Sequence, residues 1–350
     1  MSRVLVTGHL GYLGHFVVNQ LLYQKHDVVG LDVGLYSACR FSGFSDDVSI
    51  SKEIETISCD IRDIEQIDLS GYDYCIHLAG LSNDPLGNLD PELTFEINHR
   101  AAVKLAKACK MAGVKRLVAA SSCSVYGASD NSILDEQSEF APITAYAKSK
   151  LLLEQDISKL ADETFSPVFL RGGTVYGSSP FIRFDLVVNN LVAWAESTGE
   201  ILLKSYGTAW RPFVHVRDFA FVFCEMLNAD KKLVHNQAFN VVAQDENLQV
   251  KEVASLIAQR MPGTKIVIEG RDGADSRSYR VSDQKLVSVL GENWNKLNLT
   301  VGIEELSAAM KKTALSPNEF EGPGFQRLEH LKLHISSGKL TSELSWANCN

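Results

Sequence analysis

Apolar residues in the first half of the chain fall into short runs, and these alternate with longer stretches of helical spacing. Residues 4–7 read as a buried strand, and 12–24, with Phe16, Val17, Leu21 and Leu22 apolar, as an amphipathic helix. Further strands are expected at 28–31, ending at Asp32, and at 54–59, 74–79, 116–121 and 166–171. Helices are expected at 91–112 and 146–160. Apolar strands separated by helices predict a parallel sheet covered on both faces. Right-handed crossovers then make it an α/β doubly wound sheet of the Rossmann type.

Beyond Gly177 the alternation loosens. Helical spacing is found at 184–195, 217–228 and 248–259, and strand-like runs at 201–204, 238–242 and 265–269. This predicts a smaller α+β region, with some segments returning to the main sheet. Residues 210–213 (Trp-Arg-Pro-Phe) read as a turn. The tail from Glu319 contains Gly322-Pro323-Gly324 and an amphipathic stretch at 328–333.

Composition narrows the class. A chain of 350 residues with 45% hydrophobic and 22% charged residues has ample material for one large or two moderate globular domains. A net charge of −9 argues against nucleic acid or an anionic membrane as a general partner, because phosphate surfaces need basic ones. The seven cysteines form no CxxC pair and no zinc-type spacing with histidine, so no metal site is expected. Their odd number in a long chain favours reduced thiols and a cytoplasmic location. Met1-Ser2-Arg3 leads straight into a strand, so no signal peptide is expected. No apolar run reaches the ~18 residues that span a membrane.

Three motifs carry chemistry. Gly8-His9-Leu10-Gly11-Tyr12-Leu13-Gly14 lies between the first strand and the first helix. Such a turn exposes backbone N–H groups and a helix N-terminus to a pyrophosphate. Asp32, ending the second strand, is placed to accept from the adenosine ribose hydroxyls and to repel the 2′-phosphate of NADP. Such a repulsion amounts to about 4 kcal/mol at 4 Å and an effective dielectric near 20. The cofactor is therefore expected to be NAD. Arg40, eight positions on, reads as a solvated loop residue. Tyr146 and Lys150 are four apart and share one helix face. An ammonium and an oxidised nicotinamide nearby favour phenolate, which turns a tyrosine into a usable base. Ser122, in Ser121-Ser122-Cys123-Ser124-Val125-Tyr126-Gly127, supplies a hydroxyl to share a substrate oxygen with Tyr146. Ser121 reads as satisfying backbone groups at a strand end, and Tyr126 as packing. A Tyr–Lys pair alone is commonplace on helices; the order of the three motifs gives it meaning.

Taken together, these motifs resemble the extended short-chain dehydrogenases/reductases of the nucleotide-sugar epimerase/dehydratase group. The likeness runs from Arg3 to about Leu290 and includes His77-Leu78-Ala79-Gly80, Val175-Tyr176-Gly177 and Arg211-Pro212-Phe213-Val214-His215-Val216-Arg217-Asp218. It implies an NAD-binding Rossmann domain over 1–177, joined by segments about 213–243. Residues 178–212 and 244–350 would then form the substrate-binding region and the tail. It implies catalysis by Ser122, Tyr146 and Lys150. Cofactor contacts would come from Gly8, Gly11, Tyr12, Leu13, Gly14, Asp32, Asp60, Ile61, Leu78, Ala79, Gly80 and Asn98, together with Tyr146 and Lys150. Substrate contacts would come from Ser122, Thr174, Arg211 and an arginine among Arg271, Arg277 and Arg280, with Arg271 and Arg277 both candidates. The partner would be a nucleotide-diphosphate sugar, and the assembly a homodimer.

Two departures from the group bear on the reaction. Relatives that eliminate water carry an acidic pair where this chain has Cys123 and Ser124, and many carry asparagine where it has Thr174. The expected activity is epimerisation at C4 through a transient 4-keto sugar. The alternatives are a net 4-dehydrogenase or 4-keto reductase, and a non-catalytic dinucleotide-binding scaffold.

Overall fold

A computed structural model describes residues 1–45, 54–129, 132–270 and 277–347. The apolar run after Arg3 forms β1 (Arg3–Thr7), followed by α1 (Gly14–Tyr23), β2 (Asp27–Asp32), β3 (Glu55–Ser58) and β4 (Tyr74–His77). Helical turns at Pro91–Phe95 and Glu96–Arg100 lead into α2 (Ala101–Met111). β5 (Arg116–Ser122), α3 (Ala145–Ser158) and β6 (Ser166–Gly172) complete the first half. Then come β7 (Thr174–Tyr176), α4 (Val187–Thr198), β8 (Trp210–His215), α5 (Val216–Asn228) and β9 (Gln237–Val241). α6 (Val250–Arg260), α7 (Leu299–Thr313) and α8 (Arg327–Ser336) follow.

The main sheet has seven strands in the order β9-β6-β5-β4-β1-β2-β3, and every neighbouring pair is parallel. β9 is the returning segment, paired beside β6 at the edge. Side chains alternate between two cores. Leu5, Val29, Cys75 and Leu117 face the side covered by α2 and α3. Val4, Val6, Val28 and Ile76 face the side covered by α1 and α5. A third core, around Phe184, Ile201, Phe213 and Ile303, lies beneath the smaller region. The strand order reverses between β1 and β4, so a crevice opens at their carboxyl ends.

Several boundaries differ from the expected ones, each for a local reason. The helix expected over 91–112 widens into a π turn at Glu96–Arg100. The Asn98 side chain there donates to Leu81 O (2.9 Å) and accepts from Leu81 N (2.7 Å), in place of a regular helical surface contact. The third strand stops at Ser58 because Asp60 caps a 3-10 turn, accepting from Arg62 N. Residues 210–213 form no turn: β8 pairs in parallel with β7 and antiparallel with Asn247–Gln249. That pairing also delays the helix expected from 248 until Val250, where Gln249 and Glu252 form a capping box.

The tail does not lie over the smaller region alone. Trp346 Nε1 donates to Val33 O at 2.8 Å, and His330 Nε2 lies 3.0 Å from Leu35 O. The C-terminal segment therefore packs on the loop that follows β2.

Candidate active site

The glycine turn is shaped by close backbone approach. Gly8 has φ +75°, and a Cβ there would lie 2.6 Å from Ala79 N, so the backbone that follows β4 leaves no room for a side chain. A Cβ on Gly14 would lie 2.5 Å from Gly8 O. No side chain caps the start of α1; His15 N and Phe16 N already donate to Gly11 O and Leu13 O, so an anion would be met by the N–H groups of the turn that precede them. Beneath the turn, His9 fills space left by Gly30, where a Cβ would come within 2.4 Å of the imidazole. Asp32 closes the other side: its carboxylate accepts from Leu10 N (3.1 Å) and Gly34 N (2.8 Å). These are backbone bonds, so its negative charge is not cancelled by them. Arg40 stacks on Phe181 instead, 5.2 Å from the ring centroid. NAD should therefore bind more tightly than NADP, and Asp32→Ala should narrow the difference. Titration of both dinucleotides checks this, and equal affinities in the wild type would count against the assignment.

A cavity of about 710 Å³ follows the sheet order across the strand ends. Asp60 and Ile61 beyond β3, Asp32 at β2, and Gly8, Gly11, Tyr12, Leu13 and Gly14 at the turn all line it. So do Leu78, Ala79 and Gly80 after β4, Ser122 at β5, and Thr174 in β7. Its size suits a dinucleotide-class ligand, whose diphosphate would meet the turn at the start of α1. Asn98 is the exception among the expected cofactor residues. It is fully buried behind Leu81 and Ser149, so it braces the wall and does not line the cavity. Arg271 lies outside the described residues.

Tyr146 and Lys150 enter the cavity from α3, whose N-terminus is capped by Thr144, accepting from Ala147 N at 3.1 Å. A Cβ on Gly87 would lie 2.9 Å from Tyr146 Cβ, so the helix is pressed close to that turn. Burial pushes the Tyr146 phenol up to about 12, with a hydrogen bond from Ser122 acting in the opposite direction. In the protein alone, burial thus outweighs any pull toward phenolate. The Ser122 hydroxyl also bonds Ser124 Oγ at 3.0 Å. Ser121, expected to serve the backbone, donates instead to the Glu154 carboxylate. The Tyr126 hydroxyl is held by Asn240 and Arg171.

Lys150 Nζ donates to Ala120 O at 2.8 Å. Burial lowers its pKa from 10.5 to about 8, with Glu154 opposing. Below about pH 8 the lysine is charged in both folded and unfolded chains, and the full cost of burying the ammonium is present. Between about pH 8 and 10.5 the folded form loses its proton first, and the cost falls away. In the absence of cofactor, Lys150→Met should therefore stabilise the fold by roughly 1–3 kcal/mol at pH 7. The gain should shrink toward zero near pH 10.5. Urea unfolding of both proteins at pH 7 and pH 10 measures it, and a loss of stability at pH 7 would contradict it.

Charged side chains also line the cavity. Arg211 is buried; it donates to Trp210 O at 2.8 Å and to Arg277 O. Arg277 pairs with Asp84, which also accepts from Thr144. Asp218 accepts from Lys296 N and Leu297 N. Arg183 was not singled out from sequence, yet it lines the same cavity. It is clasped by Asp185 (2.7 Å) and donates to Ser82 Oγ (2.7 Å). The signal available was a lone arginine in the apolar run Phe181-Ile182-Arg183-Phe184. Cys123 turns away from the cavity, its Sγ 3.2 Å from Arg171 O.

The profile of the NAD dependent epimerase/dehydratase family matches residues 4–242. A UDP-glucose 4-epimerase from Bacillus subtilis (strain 168) is 26% identical over 292 residues, 74% of this chain and 86% of that one. Among solved structures, MoeE5 in complex with UDP-glucose and NAD is 26% identical, with a TM-score of 0.75, covering 89% of this chain and all of that one. A Thermus thermophilus UDP-glucose 4-epimerase complexed with NAD is 25% identical, with a TM-score of 0.72, covering 88% of this chain and 99% of that one.

Proposed function

The chain belongs to the NAD dependent epimerase/dehydratase family, and from that premise we propose that it epimerises a nucleotide-diphosphate sugar at C4. The observation that carries this reading is one continuous cavity. It is lined by the glycine turn, by Ser122, Tyr146 and Lys150, and by Arg211 and Arg277. Bound NAD supplies a hydride acceptor that returns the hydride at the end of the cycle. Tyr146 takes the proton of the C4 hydroxyl, and Ser122 holds that oxygen. Lys150 adds positive charge close to the phenol, 6.0 Å from its ring centroid. The 4-keto sugar would turn over within the cavity, and Tyr146 would return the proton to O4 as C4 is reduced from the opposite face. Arg211 and Arg277 favour a diphosphate beside them, because guanidinium groups form paired bonds to phosphate oxygens.

Elimination of water is not part of this reading. Cys123 is outside the cavity, and burial pushes its thiol up. Two further carboxylates of the cavity wall are both engaged, Asp84 by Arg277 and Thr144, and Asp185 by Arg183 and Asn83. Burial would raise Asp185, but the Arg183 guanidinium holds it below the usual carboxylate value.

Incubation with a panel of nucleotide-linked hexoses tests the proposal. The expected product has the mass of its substrate and forms without net change in reduced cofactor. Arg211→Ala should raise KM by about 10–100-fold, as for a lost charged hydrogen bond. A main product lighter by one water, or stoichiometric NADH, would overturn the epimerase reading. Equal turnover of a free sugar would overturn the substrate class.

A further inference from the structure

Arg327 opens α8, beyond the residues matched by the family profile. It is 2% exposed, and its guanidinium lies 4.6 Å from the centroid of the Tyr36 ring. Its Nη2 donates to Phe181 O at 2.9 Å. Its Nη1 and the Tyr36 hydroxyl are buried donors with no hydrogen-bond partner among the described residues. Both residues line the cavity. Burial disfavours the positive charge of Arg327, and the nearby Asp185 carboxylate is already clasped by Arg183. Two unmet donors, one of them a buried cation, call for an acceptor that brings negative charge.

Connectivity places these donors beside the glycine turn. Phe181 N donates to Ser179 Oγ, and Ser179 Oγ donates to Tyr12 O, both at 3.2 Å. Tyr36 follows Asp32 by four positions, and Asp32 is tied to Leu10 N. The same C-terminal segment reaches the cavity again at Leu344. There Arg62, which clasps Asp60, also donates to Glu343 O (2.9 Å) and Ser345 Oγ (3.1 Å).

We propose that the C-terminal segment is a wall of the cofactor site, and that Arg327 and Tyr36 bind the diphosphate of the dinucleotide. The proposal rests on the NAD reading above. A second source of the same chemistry is the diphosphate of the sugar nucleotide, and the test separates the two.

The variants are Arg327→Met and Tyr36→Phe; the second keeps the ring under Arg327 and removes only the hydroxyl. Calorimetry on cofactor-free protein measures binding of NAD, ADP-ribose, adenosine and UDP. NAD and ADP-ribose should weaken by about 10–100-fold in Arg327→Met and by several-fold in Tyr36→Phe. Adenosine and UDP should bind as in the wild type. Unchanged NAD affinity in Tyr36→Phe and in a folded Arg327→Met overturns the proposal. Weakened UDP with intact NAD assigns the donors to the substrate and overturns it as well. An equal loss for adenosine and NAD reduces the segment to packing. If the wild type itself fails to bind NAD, it is the cofactor reading that falls.

Discussion

Tyr146→Phe is expected to lower turnover by roughly 10²–10⁴, the range for a positioned acid–base group. The phenylalanine ring preserves packing against the Gly87 turn and leaves the glycine turn and Asp32 untouched. Cofactor affinity should therefore survive, which separates a chemical role from a structural one. The phenol is buried in an environment that keeps it protonated in the protein alone. Its usefulness as a base thus depends on positive charge brought by the cofactor, beyond what Lys150 provides. Turnover of the proposed nucleotide-sugar substrate and calorimetric NAD binding are the two measurements. A variant within a few-fold of wild type would remove Tyr146 from the mechanism.

Arg171→Leu should destabilise the fold by about 3–5 kcal/mol, the cost of stranding a buried charge. Arg171 in β6 and Glu154 in α3 are 4% and 6% exposed. They meet through Nε–Oε1 at 3.0 Å and Nη2–Oε2 at 2.6 Å. Ser121 and Tyr126 complete the cluster, through Glu154 and Arg171 respectively. Removing the arginine leaves a carboxylate buried one helical turn beyond Lys150. A double variant, Glu154→Leu with Arg171→Leu, should recover most of the loss, because it leaves no orphan charge. Urea unfolding reports both. A single variant within about 1 kcal/mol of wild type would mean that the pair is solvated.

The two halves of the molecule differed in how openly the sequence showed them. β1, β2 and β4–β6 were legible because a strand buried on both faces must be apolar along its length, and the helices between them keep a 3.6-residue period. β7 and β8 escaped notice, since a short strand in a small mixed sheet is fixed by its partners and not by its own pattern. The turn expected at residues 210–213 includes Pro212, yet in β8 that residue pairs opposite Asn247. The π turn at Asn98 is a tertiary effect: the side chain leaves the helix surface to satisfy Leu81.

Among the site residues, the glycine turn, Asp32, Ser122, Tyr146 and Lys150 carry chemistry in their spacing and could be singled out directly. Arg183, Tyr36 and Arg327 carry no such spacing. They meet only because the loop after β2, the loop after β7 and α8 converge in space. Asn98 illustrates the opposite case, a residue attached to the right site whose contact is with the wall behind it.

The contact between Val33 and Trp346 joins positions 313 apart in the chain. At a synthesis rate of about 5–20 residues per second, Trp346 emerges roughly 15–60 s after Val33. β1, the glycine turn and β2 are thus made well before the segment that packs on the loop after β2. A nascent chain can form much of its sheet while that loop is still uncovered. On the proposal that this segment walls the cofactor site, cofactor loading follows the synthesis of residue 346.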